Sequence, residues 1–396
     1  MTPRLILHVG APKCGSSALQ TALSRLPDLP RADGGKLRYT VWNAAVGVSG
    51  LLTGEELRLS AMRSAYGYAS WPNFRADDPD PPFLPAMEKL ISKGDGRTIP
   101  IASCEGWISR HETFARHLAR WGNPPVDVVA FLRPPLEWVN AAYWQWGVWH
   151  APSLDAWIKR GNLPYSFGFD LEKWAAIPNV RLRIANSRPD VIKHFSRFYG
   201  VDLSHAEVSN ASSSPALIGL LLRNRQFRPD GHNSSTEFVV QRWCPPVGGP
   251  KLWALGVRHV LALRGNSVRN RNALLNVLDV KTRVEIEADP RWMEEKPYHP
   301  AILAGPSCLD DRDELATLWT ALRTGVERVS EAAGVAVPNL PELPAASASI
   351  EAWDASVLPA LVALLDADRT LRQGVEGGTG LRSRALRLLP RRLRPV

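Results

Sequence analysis

Largely apolar runs punctuate the first half of the chain at Leu5–Val9, Ile99–Ser103, Val126–Leu132 and Val180–Ala185. Each is short, and each is rich in β-branched residues or bounded by Pro, Gly or Asn, which predicts strands. The near-continuous hydrophobicity of Val126–Leu132 predicts a strand buried on both faces. Between these runs, Ser16–Leu26, His111–Trp121, Pro135–Trp149 and Pro189–Tyr199 read as helices. Strands alternating with helices predict βαβ units and a central parallel sheet covered on both faces, an α/β fold. After Ser212 the texture changes. Pro215–Phe227 reads as a helix, Asp311–Ala333 as a longer one with Leu315, Leu318, Leu322 and Val326 at helical spacing, and Ile350–Leu371 as another. Residues 228–310 carry frequent Pro and Gly with weak periodicity, and no element is read there. Residues 335–350 are rich in Ala, Pro and Ser and read as a linker, and Gly374–Gly380 as a flexible break. The expected organisation is an α/β core over 1–225, a mostly helical extension over 226–340, and a linker, helix and partly disordered Arg-rich tail over 341–396. There is no internal repeat.

Composition adds limits. The 396 residues are 45% hydrophobic and 22% charged, ordinary values for a soluble globular protein. No stretch reaches the ~18–20 uncharged apolar residues of a membrane span. The first strand begins too early for a signal peptide, so a cytoplasmic protein is expected. Cys14, Cys104, Cys244 and Cys308 are far apart in sequence, which excludes a CxxC zinc site. The net charge of +9 is concentrated: Arg382, Arg384, Arg387, Arg391, Arg392 and Arg394 lie in the last fifteen residues with no acid among them. The rest of the chain is mildly basic, which suits an anionic ligand and gives no reason to expect nucleic acid. The leucines interleaved in the tail suit peripheral contact with an anionic membrane, and simple disorder is the other reading.

The sharpest local signal is LILHVGAPKCGSSALQ, an apolar strand, a turn and a helix. A glycine-containing turn between strand and helix points backbone N–H groups at an anion, aided by the helix dipole. Gly10, Gly15, Ser16 and Ser17 fit that task, with Pro12, Lys13 and Cys14 inside the turn. The ATP-binding pattern GxxxxGK[ST] puts Lys after the second Gly. Here that position is Ser16, and Lys13 sits earlier, on the forward rim. No strand ends in an acid placed to hold magnesium, so ATP is a poor candidate.

This loop resembles that of the sulfotransferases, which take 3′-phosphoadenosine 5′-phosphosulfate (PAPS) as donor. HVGAPKCGSSALQ is most similar to the form in bacterial, carbohydrate-type members. VVAFLRPPLEWVNAAY, at Val128–Tyr143, resembles the family's second motif: a strand, Leu-Arg-x-Pro, then a helix carrying Ser and Tyr. The resemblance implies that Arg133 pairs with the 3′-phosphate and that Tyr143 is the family tyrosine. Ala141 stands where the family has Ser. Asn140 is adjacent, about 100° round the helix. The likeness runs on through FDLEKWAAIPNVRLRIANSRPDVIKHFSRFYGV and VSNASSSPALIGLLLRNR, covering roughly residues 1–225. It implies a P-loop-type three-layer fold and sulfuryl transfer from PAPS to an acceptor hydroxyl, perhaps on a carbohydrate or glycolipid, leaving PAP and needing no metal.

In-line transfer of this kind depends on positioning, charge stabilisation and a general base. Lys13 is expected at the bridging oxygen. For the base, Glu105 in Ser103-Cys-Glu105 is the first choice, because the family often has Ser-x-Glu there. His111 is the second, and His8 is expected to pack beneath the loop. Trp138, Trp144, Trp146, Trp149 and Trp157 read mainly as core, with an acceptor-lining role as the other reading. Two alternatives remain: a PAP- or nucleotide-binding protein without transfer, motivated by Ala141, and a small-molecule kinase.

Overall fold

A computed structural model describes residues 2–46, 50–92, 96–160, 165–204, 212–247, 249 and 251–375. The arginine tail and most of the Asn/Ser-rich turn lie outside the described residues. The strands are β1 (Leu5–Gly10), β2 (Asp28–Pro30), β3 (Lys36–Tyr39), β4 (Val41–Trp42), β5 (Leu51–Leu52), β6 (Thr98–Ser103), β7 (Val126–Leu132) and β8 (Val180–Asn186). Six form one sheet in the order β2-β3-β6-β1-β7-β8, and β4 and β5 pair separately. Only β2 runs antiparallel within the six-stranded sheet. The protein is therefore a mixed α/β chain with a mostly parallel central sheet.

Every residue of β1 and of β7 is buried, as strands covered on both faces must be. One group of packed helices joins Ser16–Arg25 to Gly54–Arg63 and Val191–Tyr199; another joins His111–Arg120 and Val257–Val277 to Phe167–Ala175. β8 is an edge strand with partly exposed Arg181 and Arg183. Arg181 forks onto buried Asp127 at 2.8 and 2.7 Å, and such charge on an edge discourages further pairing.

β2 and β3 were not expected from the sequence. β3 alternates half-buried Lys36 and Arg38 with buried Leu37 and Tyr39, too briefly to stand out. Residues 228–310, unread from the sequence, are largely helical: Ser235–Trp243, Val257–Val277, Val280–Glu287 and His299–Ala304. The buried stripe of Val257–Val277 does have helical spacing, but His259 and Asn270 interrupt its Val260, Leu263 and Leu274, while Val257, Leu261 and Val268 face solvent. A polar buried stripe beside exposed apolar residues blurs the pattern. The long helix Arg312–Ala333 is capped by Asp311 and packs on Ile350–Gly374. Among the described residues no helix is long and apolar enough to cross a membrane.

The predicted helix Pro135–Trp149 is interrupted. An α-helix runs over Pro135–Ala142, a π-helical turn over Tyr143–Gly147, and helix resumes at Val148–His150. Tyr143 and Trp157 press on Gly147 so closely that a β-carbon there would lie 2.5 Å from Tyr143 Cδ2 and 2.8 Å from Trp157 Cδ2. Turns of this kind cluster at functional sites.

Candidate functional site

In parallel sheets, ligands gather at the carboxyl ends of strands, where successive strands are added on opposite sides. Here β3 and β6 lie on one side of β1, and β7 and β8 on the other. The carboxyl ends of β6, β1 and β7 lead into Glu105, the loop 10–16 and Arg133, three of the residues singled out from the sequence.

The loop is held from several directions. Ala11 donates its backbone N–H to Phe131 O at 3.1 Å, and Trp138 Nε1 donates to Pro12 O at 2.8 Å. Gly10 has φ 118°, and a β-carbon there would sit 2.3 Å from the carbonyl oxygen of Glu105. Only glycine lets the loop and the Glu105 backbone come this close. Lys13 takes a left-handed φ of 60°. Cys14 is buried, which pushes its thiol up to about 12 and keeps it protonated. Gly15 starts the Ser16–Arg25 helix in left-handed conformation, and no side chain caps that helix. Its first N–H groups thus keep the positive end of the helix dipole free of a side-chain cap. The single Ser16 hydroxyl proton has two acceptors in reach, Ala11 O at 3.3 Å and the Glu105 carboxylate. The Ser17 hydroxyl bonds to Tyr68.

Beneath the loop, His8 is fully buried, with Nδ1 2.7 Å from Ser103 Oγ. Gln20 Nε2 donates to the same hydroxyl at 3.1 Å. Burial lowers the His8 pKa to about 3, so the ring is neutral and supportive, as its position inside the strand suggested.

Lys13 Nζ donates to Gln145 Oε1 at 3.0 Å. Burial lowers its pKa; Glu105 and Glu237 pull it back up, while Arg133 and Arg228 push it down. Burial raises the Glu105 pKa, opposed by Lys13, by the Ser16 hydroxyl and by His232. Arg133 donates no hydrogen bond from its buried Nε, and it lies close enough to act on Lys13 and Cys14. Tyr143 opens the π-helical turn beside Trp144 and Trp157, half-buried, with burial raising its pKa.

Two expected residues are engaged elsewhere. Asn140 donates Nδ2–H to Leu252 O at 2.8 Å and accepts from Ala254 N at 2.9 Å. Its amide ties the core to the extension through both its nitrogen and its oxygen, in keeping with its turn away from position 141. His111 is buried, its Nε2 3.4 Å from Asp170 Oδ1, and is not among the charges acting on Lys13 or Glu105. Glu105, at the end of β6, is the carboxylate brought to the loop.

The opposite wall comes from the stretch the sequence left unread. Arg228 is 1% exposed and Glu237 4%, and the two form an ion pair. The Arg228 guanidinium lies 4.2 Å from the centroid of Trp149, and its Nη2 donates to Gln145 O at 3.0 Å. Burial pushes Glu237 up to about 7 against the pull of Arg228. Gln145 Nε2 donates to Gly231 O at 3.0 Å. Tyr66 and Tyr68 stack edge-on against Phe238 at 5.3 and 5.7 Å. No sequence motif marks Gln145, Arg228 or Glu237. The one available signal was an Arg and a Glu nine residues apart, blurred by Asp230 and His232 between them.

Comparison with family models, with curated proteins and with solved structures found no match.

Proposed function

We propose that this protein is a PAPS-dependent sulfotransferase, moving a sulfuryl group to an acceptor hydroxyl, on a carbohydrate by the resemblance in its loop. The observation that carries the reading is a convergence. A lysine, a carboxylate and a guanidinium with no carboxylate partner among the described residues lie together by an uncapped helix N-terminus, at the carboxyl ends of adjacent parallel strands. In this reading the strand–loop–helix is a phosphate-binding loop of P-loop type. Backbone N–H groups at Ser16 and Ser17 and the Lys13 ammonium hold the 5′-phosphosulfate, and Arg133 pairs with the 3′-phosphate. The unsatisfied Nε of Arg133 is the kind of group such an anion would satisfy.

The donor supplies an activated sulfur–oxygen bond. That bond breaks as a new one forms to the acceptor oxygen, whose proton passes to the Glu105 carboxylate. The raised pKa of Glu105 suits a proton acceptor working near neutrality. Lys13 stabilises the charge that grows on the departing phosphate oxygen. The alternatives keep the fold and change the ligand: a PAP-binding protein without transfer, for which Ala141 is the motive, or a small-molecule kinase.

Calorimetric titration decides among these. Wild-type protein and Lys13→Ala are titrated with PAP without magnesium, and separately with ATP and magnesium. Micromolar PAP binding that Lys13→Ala weakens supports the proposal. ATP binding, or none of either, rejects it. Tight PAP binding with no turnover of PAPS on any hydroxyl acceptor favours the binding protein.

A further inference from the structure

We propose that Gln145 is a positioning residue for Lys13, fixed in place by the π-helical turn that carries it and by the buried Arg228–Glu237 pair. The inference rests on the reading that Lys13 meets the donor's charge. The amide orientation follows from chemistry. An ammonium offers only donors, so the atom facing Lys13 Nζ at 3.0 Å is the amide oxygen. The Gly231 carbonyl offers only an acceptor, so the atom facing it at 3.0 Å is the amide nitrogen. A carboxylate at 145 would repel the Gly231 carbonyl, and an apolar chain would hold neither neighbour. Gln is the side chain that bridges a cation and a carbonyl in this order.

The backbone of Gln145 is held as well. The carbonyl of Gln145 accepts from Arg228 Nη2 at 3.0 Å. Arg228 is immobilised between the Trp149 ring and Glu237. A chain of contacts therefore runs from the extension through Gln145 to the loop: Glu237, Arg228, Gln145, Lys13. Gly231 closes the circuit, because it lies three residues after Arg228 and accepts the Gln145 amide. The groups acting on Lys13 from the surrounding elements are Glu105, Arg133, Glu237 and Arg228. Gln145 adds the one direct side-chain hydrogen bond to Lys13 Nζ among the described residues, and so the orientation.

The test reads Lys13 directly. Lys13 is acylated with a water-soluble amine reagent across a pH series, with peptide mass mapping to isolate that site, in wild type, Gln145→Met and Gln145→Glu. Gln145→Met removes an acceptor for the charged form, so the midpoint of Lys13 labelling moves to lower pH by about one unit. Gln145→Glu adds a charge and moves the midpoint upward. Thermal melts identify any variant that has lost its fold, and the two opposite shifts separate positioning from general damage. Midpoints unchanged in both folded variants overturn the proposal. PAP titration of the same proteins separates this inference from the one above. Gln145→Met is expected to weaken PAP binding about tenfold, the order lost with a charge-assisted hydrogen bond. Shifted labelling in a protein that never binds PAP supports the positioning and rejects the sulfotransferase reading. PAP binding with unshifted labelling does the reverse.

Discussion

Gln145 is bonded to one member of each of two charged pairs, and the pairs are built differently. Arg228 and Glu237 touch each other, buried, with Trp149 stacked on the cation. Lys13 and Glu105 act on each other through space, yet the Lys13 hydrogen bond goes to Gln145, and the Glu105 carboxylate lies in reach of the Ser16 hydroxyl. Closed pairs spend their charge on each other; open pairs keep it for a third party. On the proposed function, the contrast makes the loop side the working side and the extension side its support. Arg228 Nε and Glu237 Oε2 are as unsatisfied as Arg133 Nε, so what places Arg133 with the open set is that it has no carboxylate partner among the described residues.

Breaking the closed pair gives the largest expected effect. Arg228→Met leaves the Glu237 carboxylate buried without its partner, at a cost of about 3–5 kcal/mol. Adding Glu237→Leu removes the orphaned charge and returns most of that stability, because paired buried charges are often worth little net. Urea unfolding of the single and double variants measures both. A double variant as unstable as the single one would show that the pair is not the self-contained unit inferred here.

The open pair is expected to behave in the opposite way. Lys13→Ala removes a half-buried cation whose partner is a neutral amide, so unfolding free energy changes by under about 1 kcal/mol. Turnover falls by about 10²–10³-fold, as when one donor to a developing anion is deleted. Glu105→Gln keeps PAP binding and loses turnover. The comparison fails if Lys13→Ala costs as much stability as Arg228→Met, or if Glu105→Gln turns over PAPS like wild type.

The two sides also differ in how far they could be read from sequence. Loop residues are adjacent in the chain, and a turn between strand and helix constrains the residue types within it, so Gly10, Lys13, Gly15 and Ser16 were legible together. Arg133 was legible because it follows a nearly continuous apolar strand. Glu105 was legible only through its place after β6, and His111 looked almost as good until its pairing with Asp170 was seen. Gln145 was hidden because Pro135–Trp149 reads as one helix, and helical spacing says nothing about a π-helical turn at Tyr143–Gly147. Arg228 and Glu237 were hidden because their pairing is tertiary, and because their surroundings had no clear period. The parallel sheet was read from four largely apolar runs, while short, half-polar β3 escaped.

Asn140 lies between these cases: part of the second motif by sequence, a strut by structure. Asn140→Leu leaves Leu252 O and Ala254 N without their partner. The expected loss is about 1–3 kcal/mol of stability, measured by urea unfolding, with PAP affinity nearly unchanged. A selective loss of PAP affinity would return Asn140 to the open side.

The smallest effect concerns what lies under the loop, and it shows itself only in acid. His8 has its pKa lowered from 6.5 to about 3 by burial, so the folded protein refuses a proton that the unfolded chain accepts. Between those values the unfolded state binds more protons, and stability falls as pH drops, by up to about 1.4 kcal/mol per pH unit from this group. Above pH 6.5 both states hold His8 neutral and its contribution is constant. His8→Gln keeps a polar side chain beside Ser103 and removes the titration. Its stability between pH 6.5 and 4 is therefore expected to fall less steeply than that of wild type, by up to one proton, while the two curves run parallel above pH 7. Parallel curves throughout would mean that His8 is charged or solvated in the folded state. The loop would then rest on a cation beside Lys13 and Arg133, and the working side would carry one more positive charge than the open pair requires.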